Sequence, residues 1–305
     1  QGQLDGQLVV DGRLDALAIS GDLGLSNGVA AVPAAGLALE DISLGIRGDP
    51  SAPGLLALSG GLGSGEGRIS LSGHLDVNAA AGEVAIRGER VEVFNTPDVR
   101  ASLSPDLAAR LRADGLELRG NVKVDRATIT PRLSLRPAAG DAPIAAAVPG
   151  EFIAPSPDVV ILGDASAAGP TPAELPFTLD SEVVVDLGEE VNVNALGFVG
   201  RITGLVIFTN PPERSDPVPI ARGSVEVREG TFRSFGQDLE IQTGQLLFRA
   251  VPATEPELNL RAVRWIDNDP LVSLAGVRIT GSPAAPTLEL FSTPQLDSAE
   301  IQSYL

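Results

Sequence analysis

The chain has 305 residues, of which 20% are charged, and a formal net charge of −18. An acidic chain without a basic run of five or more residues excludes the positive contact surface that nucleic acid or an anionic bilayer requires. The absence of Cys and the presence of a single His remove disulfides, thiolate metal sites, thiol nucleophiles and a His-rich zinc site.

The 34 Gly and 24 Pro describe a chain that turns often. The sequence has no run of 18 or more apolar residues, the length a membrane helix requires, and no charged n-region followed by an apolar h-region. Because the chain opens on Gln1 and contains no Met, the expectation is a fragment or processed product whose export signal or anchor lies upstream.

From Gln1 to about Val93, short apolar alternations are punctuated by Gly: Leu8 and Val10, Leu17 and Ile19, Leu23 and Leu25, Leu37 and Leu39, Leu56 and Leu58, Ile69 and Leu71, Leu75 and Val77, Val84 and Ile86. A period of two places those side chains on one face of a sheet, and the regular spacing of turn residues predicts an all-β architecture. No fixed long period emerges, which favours a meandering sheet over a solenoid. The stretch 104–113 could be a helix capped by Ser104 with Pro105 at its first position. Leu107, Ala109, Leu111 and Ala113 also alternate, and Asp114-Gly115 is a hairpin signal, so strand is the expectation.

Between Pro137 and Pro176 eight prolines surround one short strand signal, 158–162. Proline cannot donate to a ladder, so this reads as a connector and divides the chain into segments 1–136, 137–176 and 177–305. Strand patterns resume at Ser181 and continue to the end, where Asp297 and Glu300 form a capping-box-like start to a short helix, Ser298 to Leu305.

Catalytic motifs fail on their surroundings. Gly24-Leu25-Ser26-Asn27-Gly28 matches a nucleophile elbow, but no helix follows it and His74 has nothing to mark it as a base, so Ser26 reads as a turn serine. His74 precedes Leu75 on the opposite face of a strand and reads as solvent-facing. The run Gly60 to Gly67 matches no phosphate-loop pattern and reads as a hairpin loop. Asp267-Asn268-Asp269-Pro270 lacks the Gly and bidentate Glu of a calcium loop and reads as a turn. Glu189-Glu190 has no fold signal that converges it on a partner. The expectation is a protein that is not an enzyme and uses no cofactor.

The last third carries the most specific pattern. From Gly223 to Phe248 it reads G-x-V-x-V-x-x-G-x-F-x-x-F-G-x-x-L-x-I-x-x-G-x-L-x-F, followed by Pro256 to Arg264, Gly281, Pro286 and Phe291-Ser292-Thr293-Pro294. This resembles the C-terminal domain of the TamB family. Asn95 to Ala101, Ser104 to Leu107, Ser156 to Val160 and Leu187-Gly188 extend the likeness, which is specific over about Val91 to Leu305 and compositional before that.

The resemblance implies a β-taco, an elongated, strongly curved and mainly antiparallel sheet with an apolar concave groove for phospholipid acyl chains. It further implies a periplasmic bridge anchored in the inner membrane that moves phospholipid to the outer membrane, with the outer-membrane barrel TamA or a related insertase as partner. The family continues beyond Tyr304-Leu305 and begins with an anchor, so this chain is expected to be one segment of the bridge.

Groove candidates are Val225, Val227, Leu239, Ile241, Leu246, Phe248, Leu258, Leu260, Leu274, Ile279, Leu288 and Leu290. The alternation alone is equally that of a closed sandwich core. A different reading is a scaffold that offers a strand edge for outer-membrane β-barrel assembly.

Overall fold

The computed structural model describes residues 2–13, 16–131, 178–195, 197–212, 218–234, 236–266 and 270–305. Its strands form one 17-stranded sheet. In chain order they are β1 (Gln3–Arg13), β2 (Ala16–Val32), β3 (Leu37–Gly48), β4 (Leu55–Ser64), β5 (Gly67–Asp76), β6 (Ala81–Glu89), β7 (Val91–Asn95), β8 (Val99–Arg112) and β9 (Gly115–Ile129). These are followed by β10 (Thr178–Asp186), β11 (Val191–Ala195), β12 (Phe198–Asn210), β13 (Ile220–Ser234), β14 (Gln237–Pro252), β15 (Glu257–Trp265), β16 (Leu274–Ser282) and β17 (Ala285–Thr293), and then by helix α1 (Ser298–Tyr304). The all-β class read from the alternation is the class observed.

Neighbours in sequence are neighbours in the sheet, as a chain of short alternating segments joined by tight turns favours. Ladders run antiparallel from β1 to β6, from β6 and β7 to β8, from β8 to β9, and from β12 to β17. The stretch 99–112 is strand, as expected, although the loop after it is Ala113-Asp114, with Gly115 already paired to Arg112. The Gly60–Gly67 run is a different matter. Residues 60–64 lie inside β4, and only Gly65-Glu66 make the turn, because Ser64 pairs with Gly67 and Gly65 takes a φ of 58° that glycine tolerates.

The one departure from antiparallel order is at β9. It pairs in parallel with β10 from Gly115–Thr178 to Lys123–Asp186, then in parallel with β11 from Ala127–Val191 to Ile129–Val193. β10 and β11 thus lie end to end along one strand, separated by a turn in which the Gly188 amide donates to Asp186 Oδ1 at 2.9 Å. A parallel partner requires the chain to return to the start of β9, a distance of about 50 Å at 3.3 Å per residue. Residues 132–177, with the strand signal at 158–162, lie outside the described residues. Segments on either side of them meet as hydrogen-bonded strands of the same sheet.

Side-chain bonds reinforce this junction. The Arg119 guanidinium donates to Asp180 Oδ2 at 2.7 Å and to the Asp180 carbonyl at 3.1 Å, and this carboxylate raises the arginine pKa above its ordinary value. Arg126 Nε donates to Glu190 Oε2 at 2.8 Å, so one member of the acidic pair Glu189-Glu190 serves as a strand clip.

Candidate functional site

Ladder register divides the sheet into two chemically distinct faces. One carries Leu8, Val10, Leu17, Ile19, Leu23, Leu25, Leu44, Ile46, Leu56, Leu58, Ile69, Leu71, Val84 and Ile86 in cross-strand rows, as the alternation predicts. The same face continues through Leu103, Leu107, Val122, Val183, Val185, Ile202 and Val206 to the last strands. Its neighbour residues, among them Glu83, Arg87, Arg110, Glu117, Glu226 and Arg278, lie on the other face, where pairs such as Arg110–Glu83 at 3.2 Å span adjacent strands.

Among the candidates, Val225, Leu246 and Leu258 form one row with Gly281 and Pro286. Leu260, Ile279 and Leu288 form the next, with Gly244 at its end, and Ile241, Ala262, Val277 and Leu290 form a third. Phe248 pairs with Gly223, and Val227 pairs with Ile202 and lies over Gly244. Eleven of the twelve candidates share this face. Leu274 does not: it pairs with Trp265 and Thr293, and the unbroken ladder over the five residues to Ile279 turns it to the opposite side.

Cover over the face is uneven. Leu4, Val10, Leu44, Phe94 and Leu288 point from it with 66%, 59%, 42%, 46% and 57% of their surface exposed. Val225 belongs to a small cluster with Val206 and Ala221, joined by Leu246 and Phe248, all on neighbouring strands. At the β14–β17 end the situation reverses. Leu239, Ala262, Ala275 and Val277 are buried with Ile301 and Leu305, and Phe232, Ile241, Ile279, Leu290 and Leu296 pack against them. Helix α1 therefore lies on the apolar face, where Ile301 and Leu305 present the i, i+4 stripe of a short amphipathic helix.

Local chemistry places that helix. Asp297 Oδ1 accepts from the Ala299 and Glu300 amides at 3.0 Å each, so the capping signal is realised. At the other end Arg264 Nη1 donates to the Tyr304 carbonyl at 2.6 Å, placing a cation at the negative end of the helix. Along the paired positions of β13–β17, Arg264 is the one charged side chain on the apolar face, sharing it with Ala262 and Ala275. Sequence reasoning missed both the helix cover and this arginine. The signal available was the even spacing of Leu258, Leu260, Ala262 and Arg264, which puts the charge on the apolar side.

The remaining candidates are scattered. Ser26 lies within β2 opposite Gln3, in a strand with a bulge after Leu25 and not in a turn. His74 is exposed on the polar face, between Ala57 and Glu83. Asp267, Asn268 and Asp269 lie outside the described residues. The polar face holds a cleft of about 630 Å³ lined by Glu66, Arg90, Glu92, Arg100, Asp125 and Glu190. Among the described residues no group of three His, Cys, Asp or Glu side chains could hold a metal ion.

The family model of the TamB C-terminal domain matches residues 58–305. The translocation and assembly module subunit TamB of Haemophilus influenzae is 30% identical over 128 residues, which cover 41% of this chain and 9% of that protein. The chain thus corresponds to a small part of that relative's length.

Proposed function

The chain belongs to the TamB C-terminal domain family, and from that premise we propose that it is a segment of a periplasmic, bridge-like lipid transfer protein whose apolar face shields phospholipid acyl chains between the inner and outer membranes. In this reading it forms part of a protein anchored in the inner membrane. It acts in a translocation and assembly module with the outer-membrane barrel TamA or a related insertase, in support of outer-membrane biogenesis.

One observation carries the proposal. All 17 strands belong to a single sheet with a continuous aliphatic face, and large side chains on that face remain exposed in β1, β3 and β17. Soluble monomers rarely leave apolar surface uncovered in a contiguous band, and such a band marks a site of ligand or partner contact. Acyl chains match it chemically. Each methylene exposed to water costs about 0.8 kcal/mol, or on the order of 10 kcal/mol for one chain, so an aliphatic path removes most of the barrier to transfer. A path also has to release its cargo, and the near absence of charge on this face leaves few points that would trap a headgroup.

A photoactivatable acyl probe tests the face directly. Labelling is expected at Leu246, Leu260 and Leu288 and not at their opposite-face neighbours Gln245, Asn259 and Glu289, with phospholipid retained in native mass spectra. Labelling that ignores the alternation, or none at all, would sink the reading. A second reading, a scaffold for β-barrel or autotransporter assembly, is favoured by the sheet's edges: β1 and β17 each pair on one side only among the described residues. Crosslinks to a barrel substrate from Val9 or Thr287, without lipid labelling, would select it.

A further inference from the structure

The row Ile241, Ala262, Val277 and Leu290 crosses β14–β17 as an unbroken aliphatic track, and Ala262 and Val277 are buried with Ile301 of α1. Leu260, Ile279 and Leu288 form the row at its margin, and Ile279 and Leu290 already touch the cluster that seats Ile301 and Leu305. The seat combines two small residues, Ala262 and Ala275, 6% and 0% exposed under the helix, with Leu239 and Val277. A seven-residue helix is too short to persist in water by itself, so it depends on this seat. Arg264 ends the seat. It makes no salt bridge among the described residues, and its guanidinium is turned to a peptide carbonyl, the Tyr304 oxygen, at 2.6 Å. A guanidinium at the end of an aliphatic track, satisfied by a neutral acceptor, is chemistry that an anionic head would engage more strongly.

We infer that α1 is a stopper on the apolar face, and that the seat it vacates is a binding site for an acyl amphiphile with an anionic head. The chain lies along Leu239, Ile241, Val277 and Leu290, and the head takes the place of the Tyr304 carbonyl at Arg264. The inference rests on the acyl-carrying reading above and adds to it a gated end. In the seated state Ile301 and Leu305 occupy the positions of chain methylenes and the helix carbonyl occupies that of the head, so helix and ligand exclude one another.

The Cys-free chain allows a direct test with two photoactivatable probes, a long-chain fatty acid and the matching fatty alcohol, mapped by mass spectrometry. In the unsubstituted chain both probes label Leu23, Ile46 and Leu260, and label Ile241 and Val277 weakly. Ile301→Asp unseats the helix and raises labelling of Ile241 and Val277 about tenfold, the shift expected when one fully buried aliphatic anchor is lost. Ile301→Ala together with Leu305→Ala raises it in the same direction and serves if the aspartate variant does not fold. Adding Arg264→Gln to either variant lowers fatty-acid labelling at Val277 about tenfold and leaves the alcohol unchanged.

Labelling at Leu23 and Leu260 that persists while Val277 stays dark in both unseated variants overturns the stopper and leaves the acyl-carrying reading standing. Equal loss of acid and alcohol on Arg264→Gln overturns the anionic-head assignment. Absence of labelling along the whole face removes both the stopper and the reading it rests on.

Discussion

Leu239 and Leu288 lie on the same face of the same sheet, and the same substitution at each reports whether that face is covered. Leu239 is 1% exposed and sits beneath α1 with Ala262 and Ile301, whereas Leu288 is 57% exposed on β17. Truncating a fully buried leucine to alanine loses its transfer free energy and leaves a cavity, so Leu239→Ala is expected to cost about 3–5 kcal/mol. Complete burial of a leucine side chain contributes about 1.5–3 kcal/mol, and less than half of Leu288 is removed from water, so Leu288→Ala is expected to cost about 1 kcal/mol or less. Urea unfolding followed by far-UV circular dichroism and by the fluorescence of Trp265, the one tryptophan, measures both. A closed core at Leu288 would make the two costs similar. Equal destabilisation, within about 0.5 kcal/mol, would therefore refute the open face and the functional reading built on it.

Two further outcomes test the sheet itself. Gly223 has a φ of 134°, and an added Cβ there would stand 2.1 Å from the Leu205 carbonyl oxygen of the neighbouring strand, so Gly223→Val is expected to cost about 3 kcal/mol or more, read as a loss of thermal stability. Gly236, at a φ of 80° with nothing within 4 Å of where an added Cβ would stand, meets backbone strain alone, so Gly236→Ala is expected to cost about 1 kcal/mol. On the polar face, Arg233 Nε and Nη2 donate to the two Asp238 oxygens at 2.7 and 3.1 Å, and this bond holds the Asp238 carboxyl below its ordinary value. A depressed folded-state value means that the pair contributes to stability above the unfolded pKa of about 3.9 and loses that contribution as pH falls through the folded value. An NMR titration should place Asp238 below the ordinary carboxylate range, with Arg233→Ala returning it there; an unchanged midpoint would remove the assignment.

Much of the fold is legible in the sequence because alternation and turn chemistry act locally. Leu58 and Leu71 reach the same face through the two-residue spacing of their own strands, and Asp297 caps α1 through atoms two and three residues away. What the sequence does not show depends on partners distant along the chain. The parallel pairing of Gly115 with Thr178 joins residues more than 60 positions apart in the sequence, and no local signal specifies it. Leu274 has the apolar character of its neighbours on the apolar face, but the odd interval to Ile279 turns it away from them. Helix α1 announces itself through its cap, whereas its seat on Leu239 and Val277 does not, since a short amphipathic helix carries no record of the surface that receives it.

Periodicity does not separate an open face from a sandwich core, yet the glycines bear on that distinction. On the apolar face Gly73 stands between Leu58 and Val84, Gly60 pairs with Leu71, Gly120 stands between Leu107 and Val183, and Gly223 stands between Val206 and Phe248. Each interrupts an aliphatic row with a site that has no side chain. A sandwich core packed to the density of an organic crystal would need side chains from a second sheet to fill every such gap. No second sheet is present among the described residues, and the buried set beneath α1, Leu239, Ala262, Ala275 and Val277, contains no glycine, whereas Gly223 adjoins the buried Val206, Ala221 and Val225. In the proposed acyl-carrying reading such gaps give the face a shallow, aliphatic relief that accepts methylenes at many registers and holds none of them at one.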